Sequence, residues 1–303
     1  MKVGLIDVDR FTYPKSKFPN LALMKISAWH KKNGDEVKWC TNAMEHFDLV
    51  YQSKVFDETY VPDLRWIPNA DEVRFGGSGY DLQNSLPAEI EHVFPDYELY
   101  AEAIPKIRDT AIGFLTRGCP RNCDYCIVTQ KEGRCSIKVA DLCEFWNGQK
   151  DINLLDPNLL ACREKLDLLE QLVLSRAYVN FSQGLDIRLA DDTVIEKLNK
   201  MRVKRLHFAW DHPEQDLRPY FERFTAQYKR KDSRSKIVYV LTNYDSTMEQ
   251  NLFRIYELER MGYNADVRVF DKPNAPKEIL RLQRWCNNRI IHGKCPRFEG
   301  YKD

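Results

Sequence analysis

With 303 residues, 43% of them hydrophobic and 30% charged, the chain has the composition of a folded, soluble protein with one large domain and an appendage. Its formal net charge of +1 provides no overall field that would favour nucleic acid or a membrane surface. The N-terminal apolar run is too short and too acidic for a signal peptide, and no run reaches the roughly 18 apolar residues of a bilayer span, so we expect a cytoplasmic protein that does not bind membranes.

The first 78 residues alternate between strand and helix patterns. Asn20 is placed to cap a helix that closes at Asn33-Gly34. Apolar runs predict four strands, at Lys2–Val8, Val37–Cys40, Leu49–Phe56 and Glu72–Phe75. We therefore predict a small Rossmann-like domain over residues 1–78. Residues 79–107, which are polar, aromatic and interrupted by prolines, are interpreted as a wrapping linker.

Residues 108–303 repeat a strand–helix unit. The predicted strands are Ala111–Leu115, Ile152–Leu155, Tyr178–Phe181, Arg205–Ala209, Ile237–Leu241 and Asp266–Phe270. Helices are predicted from a stripe of Cys162, Leu166, Leu169 and Val173, a cap at Asp191 or Asp192, a Ser246–Glu249 capping box, and a stripe of Ile279, Leu282, Cys286 and Ile290. The predicted fold class is α/β: a partial (β/α)6 barrel of parallel strands with a C-terminal extension, preceded by the Rossmann-like domain.

Nine cysteines in a protein expected to be cytoplasmic call for an explanation other than disulfides. Cys119, Cys123 and Cys126 lie within eight residues, in a C-x3-C-x2-C pattern on the loop that follows the first strand of the predicted barrel. In parallel α/β folds, ligands bind at this end of the strands. Three thiolates can hold an iron–sulfur cluster and leave one iron without a protein ligand, open to a small chelating molecule.

This pattern, with Tyr125 just before the last cysteine, resembles the signature of the radical S-adenosylmethionine (SAM) superfamily over roughly residues 108–290. The resemblance implies a 4Fe-4S cluster on Cys119, Cys123 and Cys126, with SAM bound at the open iron. Reductive cleavage of SAM would yield a 5′-deoxyadenosyl radical that abstracts hydrogen from a substrate. The expected partners are an electron donor such as flavodoxin or ferredoxin and a substrate that the sequence does not identify, with RNA, a nucleotide or a peptide as candidates.

The resemblance also implies where SAM would be held. Tyr125 would contact the adenine, and Asp156 or Asn158, after the second strand, would hold the amino group, although Asp-Pro-Asn is also a good turn. The third strand leads into Gln183-Gly184, where the glycine would allow close approach of a ligand. Arg188 would pair with the SAM carboxylate, and Asp186 would bind the ribose or anchor Arg188; a structural ion pair explains these two residues equally well.

Two alternatives remain open. Cys135 or Cys143 would complete a four-cysteine zinc site, which would make the protein a non-catalytic metal or iron–sulfur protein, such as a sensor or an electron carrier. An auxiliary cluster would draw on Cys135, Cys143, Cys162, Cys286 or Cys295. The Rossmann-like pattern of the N-terminal domain resembles the cobalamin-binding and methylthiotransferase N-terminal domains. It would be a degenerate form of either, because it lacks the D-x-H-x-x-G histidine of the first and has only one of the three cysteines of the second.

A basic stretch near the C-terminus is the strongest sequence feature that favours RNA. It contains Arg281, Arg284, Arg289, Lys294 and Arg297 beside Trp285, Phe298 and Tyr301. Such a mixture can follow phosphates and stack bases, and it is also the composition of a solvated helix face.

Overall fold

The computed structural model describes residues 1–64 and 67–302. Its strands are β1 Lys2–Asp7, β2 Glu36–Trp39, β3 Phe47–Ser53, β4 Ala70–Gly76, β5 Thr110–Gly113, β6 Thr116–Arg117, β7 Ile137–Lys138, β8 Asp151–Leu154, β9 Tyr178–Phe181, β10 Arg202–Ala209, β11 Lys236–Thr242 and β12 Asn264–Val269. Its α-helices are α1 Asp9–Thr12, α2 Leu21–Lys32, α3 Ala88–Glu91, α4 Val128–Glu132, α5 Lys165–Ser175, α6 Asp192–Lys200, α7 Arg218–Gln227, α8 Met248–Arg260, α9 Lys277–Asn287 and α10 Arg289–Lys294. Short 3-10 helices lie at Tyr97–Tyr100, Ile107–Asp109, Leu142–Glu144, Leu159–Ala161, Ile187–Leu189, Ser233–Ser235, Lys272–Asn274 and Phe298–Gly300.

The chain divides into two compact units. The first contains Met1–Gly113, Arg121–Arg134 and Ala140–Lys150, and the second contains Phe114–Pro120, Cys135–Val139 and the described residues from Asp151 onward. The predicted domain boundaries at 78 and 107 stay predictions. Among the described residues, none of the helices has both the length and the apolar character that crossing a bilayer requires.

The four predicted N-terminal strands form one parallel sheet in the order β2-β1-β3-β4, as in open doubly wound α/β folds. Since neighbouring side chains of a strand point to opposite faces, β1 and the residue after it supply both cores. Val3 and Leu5 pack with α2, whereas Ile6 and Val8 pack with residues of β3. The predicted Asn20 cap is confirmed, because its side chain accepts a hydrogen bond from the amide of Leu23.

The second sheet has six strands in the order β12-β11-β10-β9-β8-β5. The pairs from β8 to β12 are all parallel, which confirms the predicted α/β class and is consistent with a partial barrel. One face of the sheet carries apolar side chains toward the helices; Phe208 of β10, for example, meets the rings of Phe221 and Phe224 of α7 edge-on. The opposite face carries polar side chains.

Three helix details differ from the sequence-based expectations. In α5 the buried stripe is Leu168, Leu169 and Leu172, while the predicted Leu166 is exposed. The capping box of α8 is formed by Thr247 and Gln250, one residue later than predicted. The stripe of the last helix ends with α9, because Ile290 belongs to the separate helix α10 and is exposed.

Candidate functional site

Both ends of the cysteine loop are held together by a short antiparallel pair of strands. Thr116 and Arg117 of β6 pair with Lys138 and Ile137 of β7, and the amide of Val139 donates to the carbonyl of Leu115. The predicted first strand therefore ends at Gly113 instead of continuing to residue 115. Because β6 and β7 pair at the base of the loop, both ends of the loop are anchored in the second unit.

The backbone of the loop turns sharply beside the first two cysteines. Gly118 and Asn122 both have positive φ, at 84° and 49°; glycine and asparagine tolerate this region best. The amide of Cys126 donates to the carbonyl of Cys123 over 3.0 Å. Cys119, Cys123 and Cys126 are partly exposed, as is Tyr125. Cys119 belongs to the second unit and Cys123 and Cys126 to the first. Their joint ligation of a cluster, and the contact of Tyr125 with adenine, stay predictions.

Asp156 fastens the start of the cysteine loop. Its carboxylate is buried and accepts hydrogen bonds from the amides of Leu115 and Thr116 and, over 2.7 Å, from the Thr116 hydroxyl. Burial raises the pKa of Asp156 to about 6, although these hydrogen bonds oppose the rise. With its oxygens taken by these donors, Asp156 acts by positioning the loop; the role in holding the SAM amino group stays a prediction.

Asn158 lies directly against the first cysteine. Its side-chain Nδ2 donates to Sγ of Cys119 over 3.6 Å, and its backbone carbonyl oxygen accepts from the hydroxyl of Ser136. The residue is buried, and its Oδ1 atom has no hydrogen-bond partner. A buried acceptor that lacks a partner is rare in folded proteins and calls for an explanation such as a ligand. A donor toward sulfur and a free acceptor beside it suit a residue between a metal-bound thiolate and the amino group of a ligand.

The loop after β9 is built around a glycine conformation and an internal ion pair. Gly184 has φ of 129°, and a Cβ atom there would meet nothing closer than the His207 carbonyl at 3.8 Å, so its surroundings are open. Asp186 accepts from Nε of Arg188 at 2.7 Å, and Arg188 also donates to Gln215. The arrangement matches the predicted alternative in which Asp186 anchors Arg188. Gln183 is exposed, and ligand binding by these four residues stays a prediction.

Two of the cysteines considered for an auxiliary cluster are core thiols. Cys162 and Cys286 are buried, and burial raises the pKa of each thiol, which disfavours the thiolate that a metal requires. The thiol of Cys286 points at the carbonyl of Ala265. Cys135 and Cys143 are exposed and Cys295 is partly exposed.

The C-terminal aromatics do not form a platform for bases. Trp285, Phe298 and Tyr301 are all buried, with at most 7% of their surface exposed. The guanidinium of Arg281 lies over the rings of Phe298 and Tyr301, at 5.0 and 5.3 Å from their centres. The aromatic part of the argument for RNA is therefore wrong, because these rings pack inside the protein; the charges alone remain.

The sequence matches no family model and no curated protein. Among solved structures, the fold is similar to Streptococcus suis SuiB, in a crystal structure bound to the precursor peptide SuiA, with 10% identity and a TM-score of 0.41. The match covers 71% of this chain and 53% of SuiB, so the chain spans about half the length of that protein. A likeness this distant carries no conclusion about function.

Proposed function

We propose that this protein is a cytoplasmic radical SAM enzyme in which Cys119, Cys123 and Cys126 hold a 4Fe-4S cluster. The motif follows the first strand of a six-stranded sheet, at the strand end where parallel α/β folds bind their ligands. When bound, the cluster supplies one electron, received from a donor such as flavodoxin or ferredoxin, that cleaves SAM into methionine and a 5′-deoxyadenosyl radical able to take hydrogen from a substrate.

Asn158 is the observation that carries the proposal. An N–H group directed at sulfur stabilises negative charge on that sulfur, which a thiolate ligand has and a free thiol lacks. Its unpartnered Oδ1 would accept a hydrogen bond from the amino group of SAM, which removes the penalty of about 1–3 kcal/mol for a buried, unsatisfied acceptor. One side chain would then contact both cofactors.

Asp156 and the β6–β7 pair support this arrangement by fixing the start and the base of the cysteine loop. The carboxylate fixes the amides of Leu115 and Thr116, four and three residues before Cys119, so the first ligand would start from a rigid backbone. The residues around a metal ligand set its orientation as much as the ligand itself does. Asp156 is thus a positioning residue, and the Asp186–Arg188 pair would present its remaining guanidinium hydrogens to a carboxylate.

The proposal is tested by reconstituting the protein with iron and sulfide under anaerobic conditions, reducing it and adding SAM. We expect 5′-deoxyadenosine and methionine in equal amounts. Replacing Cys119, Cys123 or Cys126 by alanine should remove both the iron and the product, whereas Cys143→Ala, at an exposed cysteine outside the motif, should retain both. Product formation by any of the three motif variants at the wild-type rate would contradict the ligand assignment.

Metal analysis of the same preparations separates the alternatives. Zinc without sulfide would favour a structural metal site, and an iron–sulfur cluster that leaves SAM intact would favour an electron carrier or a sensor. Both results would contradict the proposed enzyme. The substrate, whether RNA, nucleotide or peptide, is left open by these measurements.

A further inference from the structure

The face of the second sheet that points away from the helices carries a row of polar side chains. Along β10, Leu206 and Phe208 are buried on the helix side, so Arg205 and His207 point to the opposite face. The parallel register aligns Arg205 with Asn180 of β9. Parallel sheets usually have both faces covered by apolar groups, so polar groups in the middle of one face of this parallel sheet indicate contact with something other than the protein core.

His207 is neutral and offers one acceptor atom. Its Nδ1 lies 2.7 Å from the carbonyl of Phe181, which can only accept, so the ring proton is on Nδ1. The ring is stacked on Tyr239, with ring centres 5.2 Å apart. Burial lowers the pKa of His207 to about 4. The remaining ring nitrogen, Nε2, is therefore a hydrogen-bond acceptor at neutral pH.

The same face has one uncompensated positive charge. Arg268 lies over the Tyr239 ring, 4.3 Å from its centre, and is paired with Asp266 at 3.1 Å. Arg205 is exposed, and among the described residues it has neither an ion pair nor a hydrogen bond. Both arginines lower the pKa of His207, so both lie close enough for their charges to act on this ring.

Asn180 adds a second acceptor. Its Nδ2 donates to Oδ1 of Asn153 over 2.6 Å, while its own Oδ1 is buried without a partner. A ligand that satisfies this face must therefore supply an anion to Arg205 and a hydrogen-bond donor to Asn180 or His207. A single net positive charge matches a carboxylate better than a phosphate ester, which carries about −1.5 to −2 at pH 7.

We propose that Arg205, His207 and Asn180 form the binding site for a substrate with a carboxylate and an adjacent hydroxyl or amino group. This inference rests on the proposed function for the chemistry and adds the substrate class. Arg205 lies four residues before the carboxyl end of β10, about 13 Å along the strand from that end. SAM also ends in an amino carboxylate, so the test must separate the two sources.

The test uses the whole reconstituted protein in its oxidised state, without a reductant, so that its outcome does not depend on radical chemistry. The thermal unfolding midpoint is compared, at matched ionic strength, in lactate, in the uncharged lactamide and in inorganic phosphate. We expect lactate alone to raise the midpoint, by about 2 °C or more. Arg205→Gln should lose this shift, whereas Arg289→Gln, which removes an equal charge from an exposed position on α10, should keep it.

Three results would overturn the inference: lactate no more effective than lactamide, phosphate as effective as lactate, or an unchanged lactate shift in Arg205→Gln. A second measurement addresses the source of the carboxylate. In the reconstituted enzyme, Arg205→Gln should leave the KM for SAM in substrate-free cleavage within twofold of wild type. A tenfold rise would assign Arg205 to SAM instead, while an absence of SAM cleavage in the wild type would contradict the proposed function and leave the lactate result standing.

Discussion

The two parallel sheets treat the polar groups near their carboxyl ends differently. In the first unit, such groups bind one another: the Tyr100 hydroxyl donates to Asp7 over 2.5 Å, and Asp9 accepts from the amides of Val55 and Phe56. The side-chain amide of Asn20, at the start of α2, donates to the hydroxyl of Ser53 over 2.8 Å. The polar groups at this edge are thus satisfied by hydrogen bonds within the unit.

The second unit contains every buried side-chain nitrogen or oxygen without a partner found among the described residues. These atoms are Asn158 Oδ1, Asn180 Oδ1, Asn251 Nδ2 and His292 Nδ1. Two of them lie beside Cys119 or on the polar sheet face. The two units thus differ in whether their buried polar atoms are satisfied, and a ligand would explain two of the four unsatisfied atoms, Asn158 Oδ1 and Asn180 Oδ1.

The largest effect is expected from two buried carboxylates, one in each unit. Burial raises the pKa of both Asp7 and Asp156 to about 6, so the folded state prefers their neutral forms. The contribution of these two protonated groups to the free energy of unfolding is fully present below pH 4. It is lost as the pH rises through 6, by about 3 kcal/mol for each group. Asp7→Asn should flatten this pH dependence, because the Tyr100 hydroxyl can still donate to an amide oxygen.

Asp156→Ala should instead destabilise the protein by about 3 kcal/mol at pH 7, because the amides of Leu115 and Thr116 and the Thr116 hydroxyl lose their acceptor in a buried site. Urea unfolding of both variants at pH 4 and pH 7 measures these changes. Equal losses at pH 7 in the two variants would remove the distinction between a closed edge and a loop anchor.

A smaller loss of stability is expected for a substitution at Gly113, the last residue of β5, which packs against Phe145. A Cβ atom on Gly113 would lie 2.4 Å from the ring of Phe145, which is buried and cannot move aside freely. Gly113→Ala should therefore lower the free energy of unfolding by about 1–3 kcal/mol. Gly293→Ala is the matched control, since a Cβ there meets nothing within 4 Å, and it should be neutral or slightly stabilising. A neutral Gly113→Ala would show that this packing is loose.

The smallest effect is expected at Asn158, and it should appear in binding rather than in stability. Asn158→Ala should retain the cluster, raise the KM for SAM about tenfold and lower the cluster's reduction potential, because a hydrogen bond to sulfur is lost. Asn147→Ala, at an exposed position, provides the comparison. An unaltered potential together with an unaltered KM would mean that the contact between Asn158 and Cys119 has no functional role.

Strand positions were predictable because short apolar or alternating segments between turn and helix signals leave few alternatives, and every predicted strand has a counterpart in the structure. Details for which the sequence offers two equivalent solutions were not predictable. Ser246–Glu249 and Thr247–Gln250 both fit a capping box, and α5 has leucines on several faces, so the sequence does not select its buried stripe. The two-residue strands β6 and β7 are too short to show any periodicity.

The site was predictable only where chemistry depends on spacing along the chain. The C-x3-C-x2-C motif is local and was evident, whereas the bonds from Asp156 to Thr116 and from Asn158 to Cys119 join residues about 40 positions apart. Alternation of Arg205 and His207 with Leu206 and Phe208 was a usable signal of a polar sheet face. Buried Trp285 was misjudged because nearby arginines, which cover the neighbouring rings, resemble a basic surface.

The electron paramagnetic resonance spectrum of the reduced, reconstituted protein, recorded with and without SAM, reports directly on the iron that the three cysteines would leave open under the proposed function. If SAM binds that iron, its addition should shift the g values of the reduced cluster, and labelling the SAM amino nitrogen with 15N should alter the hyperfine coupling. A spectrum that is the same in the presence of saturating SAM would show that SAM does not bind the cluster, and the proposed enzyme would be ruled out.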